Sequence, residues 1–333
     1  MSNKLSRRSF LSGSASALAA ASMTPLATSC QTAPAAHSFP GIYEFGSKFG
    51  GVQTGCTTYS FRSMPGGLQN CIKYCRETGI NSIEFRSGPD LEAYLGAPQM
   101  PNGFPGGNRG LTPEQEAIRD KYNADLKAWR IAATPEKVAT AKKLFDDAGI
   151  DIHIVKFTPG NWSDEEIDYA FRAAKAMGAR GVSEEIGEEA VRRMAPYAEK
   201  HGLYAIFHNH AQFAQEGFTA DQFLKVSPAV MLNFDTGHYF GSTGLDPCDF
   251  MRKYHDRIFS IHIKDKTGPN AVQRDANQVF GQGEMKLDEI LLLLKKEGWP
   301  IYVDIELEYD IKPWSNQVRE TKTCVQFMRN ILI

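Results

Sequence analysis

Four segments in the second half of this 333-residue chain close short apolar runs with imidazole and carboxylate side chains: FHNH at 207–210, NFDTGH at 233–238, IHIKD at 261–265 and DIELE at 304–308. One histidine after an apolar run carries little information, but four successive runs ending in nitrogen and oxygen donors read as the strand ends of a metal site. A divalent ion with mixed carboxylate and imidazole donors is borderline-hard, so Mn²⁺, Mg²⁺, Co²⁺ and Zn²⁺ are all admissible. No cysteine stands at these ends, which argues against a structural zinc site.

Within these runs Asp235 and His238 follow Val230–Phe234, His262 lies within Ile258–Lys264, and Glu306 and Glu308 share parity near the end of the last strand. Glu184 and Glu185 close an earlier run, His208 and His210 the next, and Lys156 ends the run before both. Glu184 is read as the solvent-facing neighbour of Glu185, because adjacent strand residues point to opposite faces. His153, in mid-run, reads as a hydrogen-bonded core residue. Glu84 and Arg86 alternate with Ile83 and Phe85, so one of these pairs faces an interior.

The elements that must position these groups are eight β-rich runs: Val52–Phe61, Asn81–Arg86, Ile150–Phe157, Ala179–Glu185, Tyr204–His210, Val230–Asp235, Ile258–Lys264 and Ile301–Glu308. Between them lie stretches with apolar residues at three- and four-residue spacing, among them Thr134–Ala148, Ser163–Met177, Glu188–His201, Thr219–Val226 and Lys286–Glu297. Thr134-Pro135-Glu136 and Ser163-Asp164-Glu165 are helix starts, and Gly149, Gly178 and Gly298 are helix stops before the next strand. Eight alternating strand–helix units in residues 40–333 predict a single-domain α/β fold, a (β/α)8 TIM barrel. A Gly-, Pro- and Asn-rich, then charged, stretch at 87–131 predicts a loop-helix insertion after the second strand, covering one mouth. In such a barrel, catalytic groups collect at the carboxyl ends of the strands, where the candidate donors fall.

Residues 1–39 read as a removable address. Ser6-Arg7-Arg8-Ser9-Phe10-Leu11 is a twin-arginine export pattern, and the weakly apolar stretch after it is too broken to span a bilayer. Leu26-Ala27-Thr28-Ser29-Cys30 resembles a lipoprotein cleavage box, so both a lipid anchor through Cys30 and release into the periplasm are open. The six cysteines lack the dense spacing of a disulfide scaffold, and Cys71 and Cys75 read as core-facing residues of one helix. With 37 basic and 39 acidic residues, no charge excess attracts nucleic acid or an anionic membrane. A small, weakly charged molecule is the expected partner; oligomerisation is left open.

Taken in order, Phe207-His208-Asn209-His210, Asp235-Thr236-Gly237-His238, Ile261-His262-Ile263-Lys264-Asp265, Gly281-Gln282-Gly283-Glu284 and Ile305-Glu306-Leu307-Glu308 make the chain resemble the xylose-isomerase-like TIM-barrel superfamily of sugar phosphate isomerases and epimerases. The resemblance implies one divalent ion held by Glu, Asp, His and Glu from successive strands, the last three mapping onto Asp235, His262 and Glu306. The first departs from the pattern: His208 stands where many epimerases carry glutamate, so either His208 or Glu185 supplies that donor, with Glu185 preferred. It further implies proton transfer through an enediolate on a carbohydrate, with Glu185 and Glu306 as acid and base. His208, His210, His238, Lys264, Lys156 and Glu308 would then orient the substrate. Export and the lack of a Gly-rich phosphate cradle favour a free sugar or sugar derivative. A 3-keto-glycoside lyase or hydratase using the same enolisation, and a carbohydrate-binding barrel without chemistry, are the alternative readings.

Overall fold

The computed structural model of the chain describes residues 45–86, 88–105 and 110–333, all within one compact unit, Tyr43–Ile333. Parallel strands β1 (Val52–Thr57), β2 (Ser82–Phe85), β3 (Asp151–Lys156), β4 (Gly181–Glu185), β5 (Tyr204–His208), β6 (Val230–Asp235), β7 (Ile258–Ile263) and β8 (Tyr302–Ile305) pair in chain order. β8 also pairs with β1, Val303 opposite Thr54 and Ile305 opposite Cys56, which closes the ring. The (β/α)8 barrel expected from the alternation is therefore the fold. Each β-rich run becomes a strand, and several are trimmed at the carboxyl end, where residues such as His210, Glu306 and Glu308 leave the ladder. The export pattern and Cys30 lie outside the described residues, among which no helix is long and apolar enough to cross a membrane.

The surrounding helices are α1 (Leu68–Thr78), α2 (Gly88–Tyr94), α3 (Pro113–Ala132), α4 (Pro135–Asp147), α5 (Asp164–Ala176), α6 (Glu188–His201), α7 (Asp221–Leu224), α8 (Thr236–Thr243), α9 (Pro247–Tyr254), α10 (Leu287–Glu297) and α11 (Gln317–Leu332). Thr134 caps α4 through Lys137 N, and Ser163 forms a capping box with Glu166 on α5. The helix predicted over Thr219–Val226 contracts to the single turn of α7. The insertion also differs from expectation: it holds two helices, and the longer, α3, packs against α5 in the outer layer. Arg130 near its end reaches Glu92 on α2 at 2.7 Å and Glu166 on α5 at 3.1 Å, tying both to the barrel.

Outward-facing Leu232, Phe234, Ile261, Ile263, Val303 and Ile305 are buried under the helices. The interior is instead largely polar, and among the described residues it holds a small apolar cluster of Ile154, Ile206 and Phe259, with Met231 and Tyr302 packed against it. Two register shifts shape that end. Ile83 pairs with Ile152 and Glu84 with Ile154, leaving His153 as an extra residue; Leu232 pairs with Ile258 and Asn233 with Ser260, leaving Phe259. His153 stacks on Tyr302 at 4.1 Å and bonds Asp304 (2.8 Å) and Ser82 (2.9 Å), which is the core role read from the sequence.

Gly55 permits this closure. A Cβ there would run into the Ser82 carbonyl oxygen and lie 2.7 Å from Asp304 Oδ1. Gly55→Ala is expected to cost about 1–3 kcal/mol as overpacking, seen as a lower urea midpoint at unchanged slope. A wild-type midpoint would show that the barrel wall yields at this point.

Candidate metal centre

Each motif combines donors with residues that hold them. Asp235 ends β6 and caps α8: its Oδ1 accepts from His238 N at 2.7 Å, which sets His238 one turn into the helix and leaves Oδ2 facing inward. Thr236 Oγ1 donates to the His262 carbonyl at 2.9 Å, joining β6 to β7. Asn209 accepts from Asp235 N at 2.9 Å and donates to Asp235 O at 3.2 Å, fastening β5 to β6 beside His208. Asp265 accepts from Gly281 N and Gly283 N at 2.8 and 2.9 Å, so the Gly281–Glu284 loop spends these N–H groups on a carboxylate of the chain itself.

His208, Asp235, His262 and Glu306 come together, all buried, with one ligand atom of each within 4.8 Å of the others. His208 Nε2 lies 3.3 Å from Asp235 Oδ2 and 4.0 Å from Glu306 Oε2; His262 Nδ1 lies 3.8 Å and 3.1 Å from the same two oxygens. Donors about 2.1 Å from a tetrahedral ion stand roughly 3.4 Å apart, so the four fit a divalent ion of the Zn²⁺ size class. Glu185 does not join this group. Its Oε2 instead accepts from His208 Nδ1 and His210 Nε2, each at 3.0 Å, and Oε1 from Lys156 at 2.8 Å. Burial would raise its carboxyl, but these imidazole partners hold it well below the usual range. The reason is register: Glu185 pairs directly opposite His208, so the histidine ring stands between Glu185 and the donors of β6 and β8.

One further side chain departs from expectation. Glu184 is buried rather than solvent-facing and accepts from Gly160 N at 2.6 Å. Lys264, expected to touch substrate, places Nζ among the acids: 2.5 Å from Glu306, 2.7 Å from Glu308 and 2.9 Å from Asp235. His238 and His210 pack ring to ring with centroids 4.7 Å apart. His238 Nε2, 3.7 Å from Glu308, is buried without a hydrogen bond, and burial lowers this imidazole to about 4, so it is neutral at physiological pH.

Glu84 was flagged in the sequence only by its parity with Arg86. It lies fully buried across the barrel, accepting from His262 Nε2 and, at 2.9 Å, from Asn233 Nδ2. Burial opposes its ionisation, but the positive charge of His262 outweighs this and brings the carboxyl down to about 2. With His262 neutral, an ionised Glu84 that accepts from Nε2–H would leave Nδ1 as the donor toward the site. Glu84→Gln is expected to weaken metal binding about 10- to 100-fold in competition with a chromophoric chelator. A change under twofold would remove Glu84 from this role.

A family model described as xylose isomerase-like TIM barrel matches residues 116–331. The chain is 26% identical over 138 residues to an inosose dehydratase of Bacillus thuringiensis (strain Al Hakam), covering 37% of this chain and 46% of that protein. An inosose dehydratase of Clostridium botulinum is 26% identical over 137 residues, covering 36% and 45%. The chain thus spans about half the length of the curated relatives it matches. Among solved structures, the IolI protein with a bound zinc atom superposes with TM-score 0.57 at 14% identity, covering 84% of this chain and 97% of that one. The probable 3-DHS dehydratase AsbF of Bacillus anthracis gives 0.56 at 15%, covering 81% and 98%. A sugar phosphate isomerase/epimerase of Parabacteroides distasonis gives 0.54 at 18%, covering 85% and 96%. At these identities the structural likeness shows the fold alone.

Proposed function

The chain belongs to the xylose isomerase-like TIM-barrel family, and on that premise we propose that it is a metal-dependent enzyme. It removes a proton beside the carbonyl of a polyhydroxylated keto substrate and then expels the neighbouring substituent, as a lyase or dehydratase. A divalent ion, when bound by His208, Asp235, His262 and Glu306, supplies the Lewis acidity that makes such a proton removable near neutral pH. Glu306 accepts the carbon-bound proton. His210 and Lys156 stand around Glu185, and His238 beside Glu308; one of them would return a proton to the departing oxygen.

The observation that carries this reading is the position of Glu185. Two-base epimerisation asks for a second carboxylate free to move a proton, but both oxygens of Glu185 are engaged by three donors. One base facing a set of N–H donors suits elimination better. The similarity to inosose dehydratases, partial in length, runs the same way. Isomerisation or epimerisation of a sugar is the second reading, supported by Glu185 and Glu306 lying on either side of the His208 ring.

The twin-arginine pattern supports delivery of a folded, metal-loaded barrel to the periplasm, soluble or lipid-anchored, where a free keto-sugar, cyclitol ketone or 3-keto-glycoside fits better than a phosphorylated one. The test is to incubate metal-replete protein with 3-keto-glucosides and inosose in deuterated water, with chelator-treated controls. Aglycone release or loss of water that stops with chelator supports elimination. Deuterium uptake without loss of a substituent moves the assignment to the isomerase reading, and the absence of both changes sinks both readings.

A further inference from the structure

The donors in the mouth form overlapping groups. His208, Asp235, His262 and Glu306 make one, and His238, Glu306 and Glu308 make another that shares Glu306; the remaining group, Glu185, His208 and His210, is already closed by contacts of both imidazoles with Glu185 at 3.0 Å. Side by side, such groups could hold two ions bridged by one carboxylate, an arrangement used where both ends of a reacting group need stabilising. We infer that Lys264 is the permanent occupant of the second position, so that this chain takes one divalent ion where its donors could take two.

Three observations support this. Lys264 is 2% exposed, and its ammonium touches both carboxylates of the second group, Glu306 and Glu308, at 2.5 and 2.7 Å, and Asp235 of the first at 2.9 Å. The DTGH turn is shaped around the lysine stem, since a Cβ on Gly237 would run into Lys264 Cγ. His238 Nε2, the imidazole donor of the second group, is buried 3.7 Å from Glu308 and bonded to nothing. Unlike an ion, the tethered ammonium cannot be stripped by a chelator or exchanged, so it fixes the metal count.

This inference rests on the metal-dependent reading, and the experiment separates the two. Full-length protein is loaded with Zn²⁺, desalted and analysed for bound metal by elemental analysis and calorimetric titration. Wild type is expected to hold one ion, Lys264→Ala and Lys264→Met two, and Lys264→Ala combined with His238→Ala or Glu308→Gln one again. Lys156→Ala, which removes the neighbouring buried lysine, is expected to stay at one. Wild type holding none would sink the metal-dependent reading together with the inference. Two ions in wild type, one in both Lys264 variants, or two in Lys156→Ala would overturn the inference alone. If neither Lys264 variant folds, anomalous diffraction from wild-type crystals soaked in Zn²⁺ decides: one peak among His208, Asp235, His262 and Glu306 supports it, and a second between His238 and Glu308 overturns it.

Discussion

Replacing Glu306 by glutamine is expected to lower turnover by about a thousandfold or more while the barrel remains folded. The size follows from two losses at one side chain. General-base catalysis is worth about 10²–10⁴-fold, and the same carboxylate is a donor of the metal group and a partner of Lys264 at 2.5 Å. Glutamine keeps the volume and one acceptor oxygen, so packing at this 7% exposed position changes little. The measurement is kcat on whichever keto substrate the elimination assay identifies, with bound metal determined on the same preparation. Turnover within tenfold of wild type would take Glu306 out of the chemistry.

A larger effect on metal retention is expected at Asp235, where two substitutions separate two roles of one carboxylate. Its Oδ1 caps α8 and its Oδ2 belongs to the donor group. An asparagine in its place would still cap a helix well, whereas alanine would not, a difference of about 1 kcal/mol. Asp235→Asn is therefore expected to lose metal affinity by more than about 100-fold, beyond the range typical of an outer-shell partner, with metal-free stability near that of wild type. Asp235→Ala should lose the same affinity and a further ~1 kcal/mol of stability in urea. Equal stability of the two would mean that the cap is idle, and retained affinity in either would dismantle the metal centre.

The two predictions belong together because donors and scaffold are built from the same residues. In DTGH, aspartate is strand end, cap and candidate donor, threonine fastens β7, glycine clears the lysine stem, and histidine lands one turn into α8. A site assembled this way has little freedom to relax when one member changes, which suits chemistry that needs donors placed before the substrate arrives.

By itself the amino-acid sequence determined the barrel and the rim on which the donors sit. Strand periodicity, capped helix starts and glycine stops are local signals, readable within a dozen residues, and strand-end donors follow from them once the fold is known. Parity along a strand likewise grouped Glu306 with Glu308, and Glu84 with Arg86. The tertiary structure alone decided which donors meet. The choice between Glu185 and His208 depends on two strands being in direct register, with one ring shielding the carboxylate beside it. The support of His262 by Glu84 spans 178 residues and exists only because the sheet closes on itself. Lys264 enters through the family resemblance as a residue lining the site. That its ammonium lies among three carboxylates follows from the convergence of β6, β7 and β8 at one depth, because charges attract according to distance in space and not along the chain.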